Sequence, residues 1–170
     1  MACDLTKGRS RPCKDALGGN SKLYLFNYVE NPFTVANGEA TAMSGDLTQA
    51  FEYDLYGDGN TLEQSMVGDR NTGSRVNTQT LTVVVTVPDA ATNAEFNLLT
   101  ASYSQAVVVD RNGNYRAIGI DDGIDWTVVE STGGAKADGS TYTITGVSET
   151  SELAPFLDSA TITAFEAIVA

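Results

Sequence analysis

The segment RVNTQTLTVVVTV, residues 75–87, constrains the fold of this chain more than any other stretch. It alternates through Val76, Thr78 and Thr80, then becomes continuously apolar or β-branched until Pro88 ends it. β-Branched side chains suit a pleated, half-buried surface, and a period of two places successive residues on opposite faces. Since a strand of this length needs neighbours to cover it, the sequence predicts a fold built from sheets.

Other β segments lie on both sides of this strand. In residues 48–57, Phe51, Tyr53 and Leu55 alternate with polar positions, which predicts a half-buried strand. Strands are predicted over residues 22–29, 48–57, 61–68, 75–87, 103–110, 114–121, 125–130, 141–149 and 159–170. An inventory of roughly nine or ten strands and one helix indicates a mainly β protein, an antiparallel β-sandwich or barrel.

One segment has a helical composition. Residues 89–102 replace β-branched residues with alanine, glutamate and leucine, and Asp89 is placed to cap the first turn. Leu98 and Leu99 share one predicted face with Ala91, Ala94 and Glu95. We expect this to be the only substantial helix, lying on the flank of the sheets.

Three connections are predicted from turn residues. Asn112-Gly113 separates two β runs, and because both residues tolerate positive φ, they predict a hairpin turn. The stretches 68–75 and 131–140 are polar and contain glycine, so both are expected to be exposed loops.

The length and the charge distribution predict two regions. A chain of 170 residues suits one domain, expected over residues 22–170, preceded by a basic N-terminal arm over residues 1–21. Residues 1–22 hold five of the ten basic residues but only two of the 22 acidic ones. The acidic body should be repelled by nucleic acid phosphates. The arm is therefore either a contact to the acidic body of another copy or a solvated tail.

The lack of a targeting signal and the two cysteines bear on the cellular compartment in which the protein is made. No apolar run reaches the ~20 residues of a transmembrane helix, and the N-terminus lacks the apolar core of a secretion signal. We therefore expect synthesis in a cytoplasm and no membrane association. In a reducing compartment Cys3 and Cys13 are thiols by default, although a disulfide closing a small loop is an alternative.

The acidic residues are candidates for a chemical site. The chain has no histidine, the commonest general base, and its two cysteines lie outside any predicted pocket. Calcium would take carboxylates from loops 54–60 and 121–125, but neither has EF-hand spacing and Asp-Gly pairs are common in ordinary turns. Asp110, Asp121, Asp122 and Asp125 are therefore interpreted as turn residues. We predict no catalytic residue, no metal site and no cofactor.

The order of elements resembles a known family. SQAVVVDRNGNYRAIGIDDGIDW followed by TYTITGVSETSELAPFL, with the strand and helix before them, resembles bacteriophage tail-tube proteins over about residues 75–157. The leader MACDLTKGRSRPCKDALGG is similar to the openings of phage virion proteins. Tail-tube proteins are β-sandwiches flanked by a helix, which assemble as stacked hexameric rings around a channel.

The resemblance implies a structural and not a catalytic role. The implied partners are further copies of the chain in hexameric rings and other virion proteins, with DNA passing through an acidic lumen without specific binding. The implied location is the virion, assembled in the host cytoplasm. The residues that we expect at inter-subunit contacts are basic: Lys7, Arg9, Arg11, Lys14, Arg70 and Arg75.

Two groups of alternatives stay open. A head–tail connector or a capsid decoration protein would share this composition. A secreted carbohydrate-binding or adhesin module would instead be monomeric and would present exposed aromatic residues, drawn from the seven tyrosines and Trp126. Oligomeric state separates these groups.

Overall fold

The computed structural model describes residues 3–170, and it is mainly β with two helices. The strands are β1 (Asn20–Phe26), β2 (Phe33–Ala36), β3 (Glu39–Met43), β4 (Phe51–Asp54), β5 (Thr61–Asp69), β6 (Ser74–Thr86), β7 (Gln105–Asp110), β8 (Tyr115–Ile118), β9 (Asp125–Ser131), β10 (Thr141–Thr150) and β11 (Phe156–Leu157). The helices are α1 (Ala90–Ala101) and α2 (Ser159–Glu166).

The strands form two sheets. One has seven strands in the order β2-β3-β11-β8-β7-β1-β4, and the other has four in the order β5-β6-β10-β9. A cluster of buried residues from both sheets, among them Leu23, Val83, Val108 and Ile144, fills the space between them. The predicted mainly β, sandwich-like fold is confirmed. Within residues 3–170, neither sheet closes into the alternative, a barrel.

The seven-stranded sheet is buried on both faces at its centre. Val108 faces the four-stranded sheet, whereas Val107 and Val109 belong to a second cluster on the opposite face. Strands covered on both sides appear in a sequence as continuous apolar runs, which explains the VVV of β7.

The prediction of a strand over residues 159–170 is wrong, because most of this segment forms α2. Asp158 caps the helix by accepting a hydrogen bond from the Thr161 amide at 2.7 Å. Thr161 and Phe165, one helical turn apart, are the buried positions. Phe165, which is 0% exposed, packs edge-on against Tyr24 and covers the second face of the large sheet. Burial of this side chain outweighs the alternation of Thr and Ile that suggests a strand.

The predicted helix over residues 89–102 is confirmed as α1, although its buried face differs from the predicted one. Phe96 and Leu99 are buried, whereas Leu98 is 64% exposed. Phe96 contacts Tyr53 of β4 and Tyr142 of β10, so it closes the space between the sheets at one side. The expectation of a single substantial helix is wrong, because α2 is the second.

The β7–β8 connection is a hairpin turn at Asn112-Gly113. Only Gly113 takes positive φ, at 82°. Asp110 organises the turn, since its Oδ1 accepts hydrogen bonds from the amides of Asn112 at 2.9 Å and Asn114 at 3.0 Å. The predicted loop over 68–75 is shorter than expected, because β5 and β6 stay paired as far as Asp69 and Ser74.

Candidate functional site

The basic arm ends at an anchor on the body. Residues 3–18 form no helix or strand, and Lys7, Arg9, Arg11 and Lys14 are all exposed. At Leu17 the chain meets the β7–β8 turn, where the Asn112 side chain bonds both the amide and the carbonyl of Leu17. The four basic side chains therefore lie in an exposed segment with a defined point of attachment.

Arg70 and Arg75 lie at the other end of β5. Arg70 is in the β5–β6 turn, and Arg75 forms a loose contact of 3.9 Å with Glu152, with both side chains largely exposed. The arm approaches near the start of β5, since the Asn20 amide donates to the carbonyl of Asn60 at 3.0 Å. Nine residues of strand separate these ends, roughly 26 Å. The structure therefore does not bring the six predicted contact residues together.

The outward face of the four-stranded sheet is a second candidate functional surface. Because alternate residues of β6 and β10 are buried in the inter-sheet core, the remaining positions point away from the body. One cross-strand row on this face consists of four threonines: Thr127, Thr145, Thr82 and Thr61. The next row holds Asp125, Val147, Thr80 and Glu63.

This outward face carries acidic but not basic charge. Glu63, Asp125 and Glu149 lie on it, among threonine, serine and valine. On the described strands of this sheet, none of the ten basic residues occupies an outward position. The face therefore has a negative potential and no group that would hold a phosphate.

Both edges of the four-stranded sheet are open within residues 3–170. β5 pairs only with β6, and β9 pairs only with β10. Open edges present rows of backbone donors and acceptors, which template pairing with another chain. β5, with nine residues, is the longer edge.

Of the four aspartates considered from the sequence, Asp121 and Asp122 lie in the turn after β8, whereas Asp110 ends β7 and Asp125 begins β9. Asp110 holds the β7–β8 turn, and the Asp121 carboxylate accepts a hydrogen bond from the Ser151 amide at 3.1 Å. In the other candidate calcium loop, Asp58 lies 3.9 Å from Arg111. Among the residues that the structure describes, no three His, Cys, Asp or Glu side chains are grouped so as to hold a metal ion.

A buried polar network lies at the root of the β5–β6 hairpin. Gln64 Oε1 accepts hydrogen bonds from Asn77 Nδ2 at 3.0 Å and from the Ala154 amide at 2.7 Å. Gln79 Oε1 accepts from the Gly119 amide at 3.0 Å and so links the two sheets. Sequence reasoning missed these residues. The sequence feature that could have revealed them is the pair Asn77 and Gln79 in β6. Both are polar, yet they occupy core-facing positions of this strand and are fully buried.

A groove with acidic walls lies beside the start of β9. It has a volume of about 520 Å³ and is lined by Tyr103, Asp122, Gly123, Asp125, Val147, Ser148 and Glu149. Tyr103 is 70% exposed, and all three carboxylates are exposed. We call this set of residues the acidic groove. It combines uncovered apolar surface with negative charge.

Comparisons with known proteins supply no relative, since no protein-family model, curated protein or solved structure matches the chain. Among the described residues, neither helix has the length and apolar composition required to span a bilayer. The two cysteines, Cys3 and Cys13, are both exposed and are not joined to each other.

Proposed function

We propose that this chain is a structural subunit of a bacteriophage virion, and that the assembly it forms is the tail tube. The observation that carries the proposal is the four-stranded sheet, which combines an open strand at each edge with an acidic, hydroxyl-rich outward face. The resemblance in element order and turn residues is what suggests this family. The sheet supplies a physical route to rings.

The strand directions suit head-to-tail pairing of copies. Every neighbouring pair in the sheet is antiparallel, so β5 and β10 run one way and β6 and β9 the other. Rotation about an axis along the strands preserves these directions in each copy. β9 of one copy therefore lies antiparallel to β5 of the next, and the sheet continues around the ring without a change of pattern.

Charge and closure constrain the register of this junction. Extending the rows without a shift would place Glu63 of one copy directly opposite Asp125 of the next, and like charges opposite each other are destabilising. A shift of two residues places Ser65 opposite Asp125 and Glu63 opposite Thr127, and it keeps every face unchanged. Closing a sheet into a barrel requires such a stagger.

The electrostatics suit a channel for DNA. In the continuous sheet, the outward face with Glu63, Asp125 and Glu149 lines the lumen, and the seven-stranded sheet with α2 forms the outer layer. Carboxylates repel phosphates, so DNA passes without being bound. The basic arm, with Lys7, Arg9, Arg11 and Lys14, then contacts the acidic body of a neighbouring copy, and other virion proteins meet the ends of the tube.

Negative-stain electron microscopy of the purified protein, with its mass in solution, tests the proposal. We expect rings with a central hole, or tubes that lengthen with concentration, and the images give the symmetry. Rings that never stack would favour a head–tail connector, and binding only to capsids would favour a decoration protein. A protein that stays monomeric at high concentration would overturn the structural role and favour the binding module.

Cysteine cross-linking tests the junction itself. In a Cys3→Ser/Cys13→Ser background, Glu63→Cys with Thr127→Cys should give a ladder of covalent multimers on oxidation. The matched control is Thr82→Cys with Thr145→Cys, which lie opposite each other within one copy and should give no ladder. Covalent dimers from Thr127→Cys alone would indicate two-fold pairing of β9 edges, which contradicts the ring.

A further inference from the structure

The seven-stranded sheet ends at β4, which within residues 3–170 pairs as a strand only with β1. The Leu55 amide, just after β4, donates to the Ser21 carbonyl of β1 at 3.0 Å. Backbone groups alternate in direction along an antiparallel pair, so those of Glu52 and Asp54 point away from β1. They form an open edge that can accept another strand.

The start of this edge is already covered. The Ala50 amide donates to the carbonyl of Ile168 at 3.1 Å, and the Ala50 carbonyl accepts from the amide of Ala170 at 2.8 Å. Ala50 lies two residues before Glu52, so the same alternation turns its backbone groups outward. The free part of the edge, residues 51–54, is long enough for a short added strand.

The free edge is acidic on one face. Glu52 and Asp54 lie on the same face of β4, two residues apart, beside Lys22 of β1. The hydrogen bond from Lys22 to Glu52, at 3.0 Å, raises the pKa of Lys22, and the charges of Asp54 and Glu166 add to this effect. Three carboxylates therefore lie around one cation, and the face keeps a negative charge.

The basic arm has the matching pattern. Lys7, Arg9 and Arg11 recur at every second residue, so an extended backbone places all three on one face. Gly8 and Ser10, between them, are small and uncharged. This part of the arm is exposed and forms no helix or strand, so its backbone is available for pairing.

We propose that the arm of a second copy adds to β4 as an antiparallel strand, with its cations on the face of Glu52 and Asp54. This inference deepens the proposed contact of the arm with a neighbouring copy and rests on that part of the proposed function. Opposite charges at facing positions stabilise such a pair of strands. A slip by one residue would instead turn the cations to the face of Phe51 and Tyr53, which is apolar and aromatic.

Pro12 suits the end of the added strand. In the register that uses the free edge, Arg9 lies opposite Asp54. Arg11 then lies opposite Glu52, and the backbone groups of both arginines point to β4. Pro12 has no amide proton and faces the other way, so it removes no hydrogen bond to β4 and hinders the addition of a further strand.

The direction of the chain favours a second copy over the arm of the same copy. A strand antiparallel to β4 runs parallel to β1, and so leads away from Asn112, which anchors the arm at Leu17. Residues 12–16 of the same copy would have to turn back and cross β4 and β1 to reach that anchor. The arm of a neighbour needs no such reversal. The contact joins different surfaces of the two copies, as a ring or a stack requires.

Hydrogen exchange of the Glu52 and Asp54 amides tests the docking. Both amides face the open edge, so their protection should be roughly tenfold or more greater in the assembly than in dilute, dissociated protein. The amides of Phe51 and Tyr53 point to β1 and are the internal control, with equal protection in both samples. Deletion of residues 1–16 should abolish the added protection. Exchange quenched at several times and read by nuclear magnetic resonance measures each amide.

Charge reversal with rescue tests the pairing. Arg9→Glu and Asp54→Arg should each raise the concentration needed for assembly by roughly threefold or more, because like charges then face each other. The two changes combined in one chain should restore assembly to the level of the parent. Lys136→Glu removes an exposed cation from the 131–140 loop and, as the matched control, should leave assembly unchanged. Circular dichroism should show that every variant is folded.

The outcomes separate this inference from the proposed function. Rings in which the Glu52 and Asp54 amides exchange as freely as in dissociated protein would mean that the docking is wrong and the ring stands. Protection that persists after dissociation would assign β4 to the arm of the same copy and overturn the exchange between copies. If the parent never assembles, the proposed function fails, and this contact fails with it.

Discussion

The side-chain amide of Asn112 forms two hydrogen bonds with the backbone of Leu17. Its Oδ1 accepts from the Leu17 amide at 2.8 Å, and its Nδ2 donates to the Leu17 carbonyl at 2.9 Å. The two bonds are arranged like the donor–acceptor pair between neighbouring β-strands, with the Asn112 side-chain amide in place of a second backbone. It fixes where the basic arm leaves the body, 95 residues away along the chain from the turn that holds it.

Replacing Asn112 with Ala should release the root of the arm. Each exposed hydrogen bond contributes about 0.5–1.5 kcal/mol, so the exchange protection of the Leu17 amide should fall roughly tenfold, with the β circular-dichroism signal unchanged. Amide hydrogen exchange measures this. Asn112→Asp keeps the acceptor for the Leu17 amide and should lose less protection. Equal protection in Asn112→Ala and the parent would contradict the anchor.

Deletion of residues 1–16 should weaken assembly without unfolding the body. The arm contributes Lys7, Arg9, Arg11 and Lys14 to the proposed contacts with a neighbour, and residues 3–16 are exposed throughout. We expect a higher concentration threshold for assembly, a weaker dependence of assembly on salt because charge pairs are lost, and an unchanged thermal transition. Light scattering at several ionic strengths checks this. Unchanged assembly would remove the arm from the contact surface.

Replacing Phe165 with Ala should detach α2 from the large sheet. The ring is fully buried against Tyr24, Phe26 and Phe33, so its loss should lower the free energy of unfolding by about 3–5 kcal/mol. Phe156→Ala is the matched control, since that side chain is substantially exposed and the cost should be much smaller. Urea unfolding compares the two. Equal losses would mean that α2 does not depend on Phe165.

Gly146 has no room for a side chain. A Cβ at this position would lie 2.7 Å from Cζ3 of Trp126 and 2.8 Å from Cγ2 of Ile124. Gly146→Ala should therefore destabilise the fold by about 1–3 kcal/mol through overpacking. Gly68→Ala, in β5 with open space around it, serves as the control in the same sheet and should be close to neutral. The thermal transition of each variant tests this difference.

Val87 has an unfavourable backbone conformation. Its φ is 59°, which β-branched residues rarely adopt, and its side chain is exposed. Val87→Gly should raise the free energy of unfolding by about 1 kcal/mol, because the left-handed region costs L-residues roughly 1–2 kcal/mol. Val129→Gly, at an exposed strand position, should instead be destabilising. A loss of stability in Val87→Gly would contradict the assigned conformation.

Stability should fall at alkaline pH through Tyr115. Burial, with the hydrogen bond to Glu166, raises the pKa of Tyr115 to about 12. The folded state therefore favours the neutral phenol. The stabilisation that Tyr115 contributes to the fold is complete below the unfolded pKa of about 10. It is lost as pH rises from there towards 12. Urea unfolding across this range should show a smaller decline for Tyr115→Phe than for the parent; an identical decline would contradict the assignment.

Local patterns in the sequence determined most of the strands, the position of α1 and the β7–β8 turn. Alternation in residues 75–87 reflects one buried face, and Asp89 with the alanine-rich segment after it favours a helix wherever that helix packs. The Asn112-Gly113 turn is equally local, because Gly113 and the carboxylate of Asp110 satisfy it within five residues. Such features depend on neighbours in the chain, so periodicity and turn chemistry reveal them.

The remaining features depended on contacts between distant segments. α2 exists because Phe165 finds a buried site among β1 and β2 residues more than 130 positions away, which no local alternation encodes. The same holds for Phe96 and Leu99 as the buried face of α1, and for the Gln64–Asn77–Ala154 network. The acidic groove also depends on such contacts, because Tyr103 lines it together with Val147 and Glu149. Burial and register are properties of the packed sheets, so only the tertiary structure decided them.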